Sequence, residues 1–121
     1  MWIITTRGFL SVVQNADAKA PHEALLVRGR VREDLDHFAD FVARHGDRPA
    51  VTGTPHFDYG YRLTTSREMF ASYLTEHVGA LNYPNFKNEI GKEDPKRAHV
   101  YMGVWTALRK LRGPQAKAAK P

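Results

Sequence analysis

The stretch Leu25-Leu26-Val27-Arg28-Gly29-Arg30-Val31-Arg32 decides how this chain is read. In an extended strand, successive side chains point to opposite faces of a sheet. Leu25, Val27, Gly29 and Val31 then line one face, and Arg28, Arg30 and Arg32 the other. The apolar side calls for a core and the guanidinium side for anions. Those anions are either internal carboxylates, with Asp58, Glu23 and acids of the third helix as candidates, or the phosphates or carboxylates of a partner.

Upstream, residues 1–14 read as one extended piece whose best strand is Phe9–Val13, followed by a polar loop over 15–23. Downstream, Glu33 and Asp34 open a helix near the positive end of its dipole. Leu35, Phe38, Phe41 and Val42 give that helix an apolar stripe, and Gly46 ends it. Ala50–Thr54 is a weak strand between Pro49 and Pro55, which argues for an edge position. Tyr59–Thr64 is a stronger strand in which Tyr59, Tyr61 and Leu63 share one face, so Arg62 joins Arg28 and Arg30 on the other. Thr65 and Glu68 form a capping box. The helix behind it is expected to bury Met69, Phe70, Tyr73, Leu74 and Val78 and to stop at Gly79. Leu81–Gly91 reads as a loop or short helical turn. Asp94-Pro95 starts the last helix, which is expected to bury Ala98, Tyr101, Val104, Trp105, Leu108 and Leu111 before Gly113-Pro114 ends it.

The order β-β-α-β-β-α-α predicts an α+β fold with a four-stranded, mostly antiparallel sheet. It matches a ferredoxin-like split βαβ arrangement permuted so that its last strand comes first. The second strand is then central beside the fourth, with the first and third at the edges. Residues 1–112 read as one domain and 113–121 as a flexible basic tail.

The charge distribution tempers any inference from the net +5. Arg109, Lys110, Arg112, Lys117 and Lys120 lie in a terminal stretch without acids; setting those five aside leaves 13 basic residues against 13 acidic ones. The body is balanced and the basicity belongs to one end, where a solvated tail or added phosphate affinity are both chemically reasonable. Without cysteine there is neither a disulfide frame nor a thiolate metal site. No apolar run is long enough to span a membrane, and nothing at the start resembles a signal peptide. A cytoplasmic protein without a membrane partner is the expectation.

Two constellations are candidate binding sites: the Arg28, Arg30 and Arg62 face, and the segment carrying Tyr83, Asn85 and Lys87. Sheet faces with arginines hold single-stranded RNA in many small domains, usually beside aromatic side chains. With both strand tyrosines turned toward the helices, that platform is expected to be missing here. The leading reading is a non-catalytic binding protein whose arginine face contacts nucleic acid or an acidic protein surface. No cofactor is called for. The six histidines lack metal-ligand spacing, and no nucleophile elbow or phosphate loop is present. The alternatives are a ribonuclease-like phosphodiester-cleaving enzyme, which needs a histidine and an arginine converging in a pocket, and a homo-oligomer that buries the arginine face.

Several segments together are distinctive: Met1-Trp2, Gly8–Val13, Val27–Leu35, Asp58–Arg62, Tyr83–Lys87, and Tyr101 with Val104-Trp105. This combination resembles a family of short uncharacterised bacterial proteins across nearly the whole chain. The resemblance implies a bacterial intracellular protein and carries over no catalytic residue.

Overall fold

The computed structural model describes residues 1–113. From Pro114 onward the expected tail lies outside the described residues. The chain divides into two compact units, one spanning Met1–Leu81 and the other beginning at Asn82.

The first unit is α+β. Its strands are β1 (Trp2–Thr5), β2 (Gly8–Gln14), β3 (Ala24–Gly29), β4 (Thr52–Gly53) and β5 (Tyr61–Ser66), in the spatial order β1-β2-β3-β5-β4. Every pairing is antiparallel. Helix α1 (Arg32–Ala43) follows β3, and α2 (Arg67–Gly79) follows β5. As the pattern predicts, the strand beginning near Leu25 is central, between β2 and β5.

The sheet has five strands rather than four because the amino-terminal stretch is a hairpin. Its turn is set by small polar contacts that hydrophobic periodicity does not register. The Arg7 amide donates to Thr5 Oγ1 at 3.0 Å. Gly8 adopts φ 137°, where a side chain would be strained, and a Cβ there would overlap the Asp34 carboxyl. Asp34, buried on α1, accepts the Phe9 amide at 2.9 Å. The hairpin moves β2 away from the edge, so the edges are β1 and the two-residue β4.

The core lies on one side of the sheet. Leu10, Val12, Leu25, Val27 and Leu63 meet Leu35, Phe38, Phe41 and Val42 of α1 and Phe70 and Tyr73 of α2. Phe38 is at its centre, with ring centroids 5.3 Å from Phe70 and 4.9 Å from Tyr73. Because β5 continues through Thr65, which pairs with Leu25, the cap of α2 falls one residue later than expected. Ser66 accepts the Met69 amide at 3.0 Å. Val78, expected in the core, is 67% exposed in the last turn of α2.

The second unit comprises α3 (Phe86–Glu93), α4 (Pro95–Leu108) and a closing 3-10 turn, Arg109–Arg112. The segment read as a loop is therefore partly helix, capped by Asn85, which accepts the Asn88 amide at 2.9 Å. Asp94 caps α4 by accepting the Arg97 amide at 3.0 Å, with Pro95 in the first turn, as expected. The expected burial of the α4 stripe is not found: Ala98, Tyr101 and Val104 are half-buried, while Trp105, Leu108 and Leu111 are exposed. Helical spacing identifies a stripe but not whether anything covers it. Among the described residues no helix is long and apolar enough to cross a membrane.

Candidate anion-binding face

The register of the four strand pairs defines one row running across the sheet. Trp2 is opposite Ser11, Ser11 opposite Arg28, Arg28 opposite Arg62, and Arg62 opposite Thr52. The sequence neighbours of these residues, Leu10, Val12, Val27 and Leu63, point into the core, so Ser11, Arg28 and Arg62 lie on the face opposite α1 and α2. Ile4 and Phe9 form the next row on the same face, and Val13 with Leu26 the row on the far side.

Arg28 and Arg62 are thus like charges directly opposed on adjacent strands, an arrangement that destabilises a sheet. Arg28 Nη2 donates to Ser11 Oγ at 2.7 Å, and Arg30 Nη1 to the backbone carbonyl of Asp58 at 3.1 Å. The guanidiniums of Arg28 and Arg30 each lie 4.8 Å from the ring centroid of Tyr59, and that of Arg62 lies 4.4 Å from Phe57. Cation–π attraction offsets part of the repulsion. The Nε atoms of Arg28 and Arg62 are buried without a hydrogen-bond partner. Among the described residues, none of the three arginines forms an ion pair with a carboxylate. Asp58 contributes its carbonyl oxygen, and Glu23 lies beside His22.

Two expectations about this face are corrected. Arg32 does not continue the arginine row: β3 ends at Gly29, and Arg32 begins α1, where it pairs with Asp36 at 3.6 Å. Tyr59 does not share a strand face with Tyr61 and Leu63. The strand starts at Tyr61, and the preceding chain lets the Tyr59 ring settle among Arg28, Arg30 and Phe9, with the Phe9 centroid 6.3 Å away. The face is therefore aromatic as well as cationic. Trp2 packs edge-on against Phe9 at 5.6 Å, and both Trp2 and Phe57 are largely exposed.

The other candidate residues belong to the second unit. The Tyr83 ring lies 6.4 Å from Phe86, the side chain of Asn85 is engaged in capping α3, and Lys87 Nζ lies 4.2 Å above the Trp105 ring. The structure gathers these three at the start of α3, as it gathers Arg28 and Arg62 on the sheet with Arg30 just past the end of β3.

A further cluster went unnoticed in the sequence. Between α1 and α2, His37 Nδ1 lies 2.6 Å from the Tyr73 hydroxyl, and the His77 ring packs edge-on against Tyr73 at 4.4 Å. Burial raises the Tyr73 pKa, keeping the phenol protonated. Burial also lowers both histidines, with the Arg7 charge adding to the effect. The i, i+4 spacing of Tyr73 and His77 places them on one helix face; the contribution from His37 depends on how the two helices meet. A cleft of about 310 Å³ near the start of α2 is lined by His45, Ser66, Glu68, Met69 and Ser72, a histidine without an arginine. Among the described residues, no three His, Asp or Glu side chains are grouped to hold a metal ion.

No family model, curated protein or solved structure matches this chain.

Proposed function

We propose that the protein is a non-catalytic binding module whose sheet face opposite α1 and α2, through Arg28, Arg30 and Arg62, contacts an anionic partner. The observation that carries this reading is three neighbouring guanidiniums held on aromatic rings without a carboxylate among the described residues. A protein that used these arginines only for stability would be expected to supply the acids. Tyr83, Asn85 and Lys87 remain secondary contact residues in this reading. The bacterial cytoplasm is the setting implied by the family resemblance. A permuted ferredoxin-like description accords with β5 lying between β3 and β4 while α1 connects those two.

The test is binding of fluorescently labelled inorganic polyphosphate and of an oligonucleotide at 50 and 200 mM salt. Affinity should fall steeply with salt, and the Arg28→Ala/Arg62→Ala double variant should lower the slope of log K against log salt by roughly 1.5 to 2. Absence of binding to either polyanion at the lower salt refutes the proposal.

A further inference from the structure

We infer that the anionic partner is a single-stranded nucleic acid whose bases stack on Trp2 and Phe57 while its phosphates meet the arginines between them. This inference rests on the proposed anion-binding role of the face and specifies its ligand. Trp2 is 69% exposed and Phe57 60% exposed, and neither belongs to the core cluster. Large rings left in water on a cationic face are the element that an anion-only site has no use for.

Their placement is ordered. Trp2 stands at the β1 end of the row that includes Ser11, Arg28 and Arg62, and Phe57 lies under the guanidinium at the other end. From β1 the row reads Trp2, the buried Ser11, Arg28 and Arg62, with the Phe57 ring against the Arg62 guanidinium. At about 4.8 Å per strand, Trp2 and Arg62 are roughly 14 Å apart, a span that takes in more than one nucleotide. Phe9 lies edge-on beside Trp2, and Tyr59 lies against Arg28 and Arg30, so further rings flank the row.

The chemistry separates the partner classes. A duplex offers phosphates outside and keeps its bases stacked within, leaving the exposed rings with nothing to face. An acidic peptide offers carboxylates on an amide backbone, with no aromatic base built into each repeat. A single strand alternates phosphate with an unstacked base, and stacking on Trp, Phe or Tyr is tolerant of sequence.

The experiment uses the full chain carrying Trp105→Phe, which leaves Trp2 as its one tryptophan. Its fluorescence is followed during titration with a short oligothymidylate, an abasic strand of equal length, a duplex of matched charge and polyglutamate. The expected result is quenching of Trp2 by the oligothymidylate and affinity at least about tenfold above that for the abasic strand. Trp2→Ala, read by anisotropy of a labelled strand, should weaken oligothymidylate binding about 5- to 150-fold and leave abasic binding unchanged, while Phe57→Ala, which also removes the ring against Arg62, should weaken oligothymidylate binding more than abasic binding. Equal affinity for the thymidylate, abasic and duplex ligands, with no effect of Trp2→Ala, overturns the stacking inference while the anion-binding role stands. Preference for polyglutamate overturns it in favour of an acidic protein surface. If no ligand binds at low salt, the inference and the proposed function fall together.

Discussion

On one side of β3, Leu25 and Val27 are buried among the side chains of the core; one residue along and on the other side, Arg28 faces Arg62 with no carboxylate paired to either among the described residues. The same strand serves both faces, so backbone and register are held constant and only the side chains differ. On the covered face Leu10, Val12, Leu25, Val27 and Leu63 are all withdrawn from water. The arginine face holds like charges in opposition, a buried serine, exposed rings and two buried Nε atoms without partners. Local departures from stabilising rules tend to mark the surface selected for function. The contrast therefore separates the residues that hold the fold from those that the proposed binding role uses.

That contrast can be broken first from the covered side. Phe38→Ala removes the ring at the middle of the core, and urea denaturation should show a loss of about 3–5 kcal/mol. The imidazoles between the helices add a pH arm. His37 and His77 both have folded pKa values below the ordinary 6.5, chiefly through burial, so the unfolded chain takes up their protons more readily. Their contribution is fully present above pH 6.5 and is lost as pH falls below it through the folded values. Denaturation midpoints at pH 8, 6.5 and 5 should decline in that order, and the His37→Gln/His77→Gln variant should flatten the decline. A slope unaltered by both substitutions would refute this assignment.

A smaller loss is expected where the sheet hands over to α2. Ser66→Ala removes the cap acceptor for the Met69 amide and should cost about 1 kcal/mol by the same denaturation measurement. The arginine face should respond least, and in the opposite direction. Arg62→Thr relieves its opposition to Arg28 and should change stability by no more than about 0.5 kcal/mol, with a gain favoured. The same variant should bind polyphosphate more weakly. A large destabilisation would show that Arg62 supports the fold and would erase the distinction between the faces.

Much of the covered face was legible in the sequence. Leu25 and Val27 alternate with their neighbours, and Leu35, Phe38, Phe41 and Val42 recur at helical spacing, so periodicity alone placed them in the core. That Arg28 and Arg62 share a face followed from the same alternation; their direct opposition is a matter of register, which alternation does not fix. The amino-terminal hairpin was missed because its turn depends on a threonine hydroxyl, a positive φ and a carboxylate distant in sequence. Tyr59 was misplaced because a strand boundary two residues later frees a ring from alternation. The aromatic content of the open face was hidden for the same reasons: Trp2 depends on the hairpin and Phe57 on a loop. The exposed stripe of α4 shows the converse limit, since its spacing is that of a buried helix.

Asp34 reaches the Phe9 amide across a sequence separation of 25 residues, through space that only a glycine at position 8 leaves open. The bend that turns Trp2 back onto the sheet is thus secured by a helix synthesised later. Until α1 has formed, the first hairpin lacks its clasp, and the edge that carries the indole need not be in its final register. Assembly of the outer rim should then lag behind the docking of α1, making the aromatic end of the row one of the last parts of the sheet to lock.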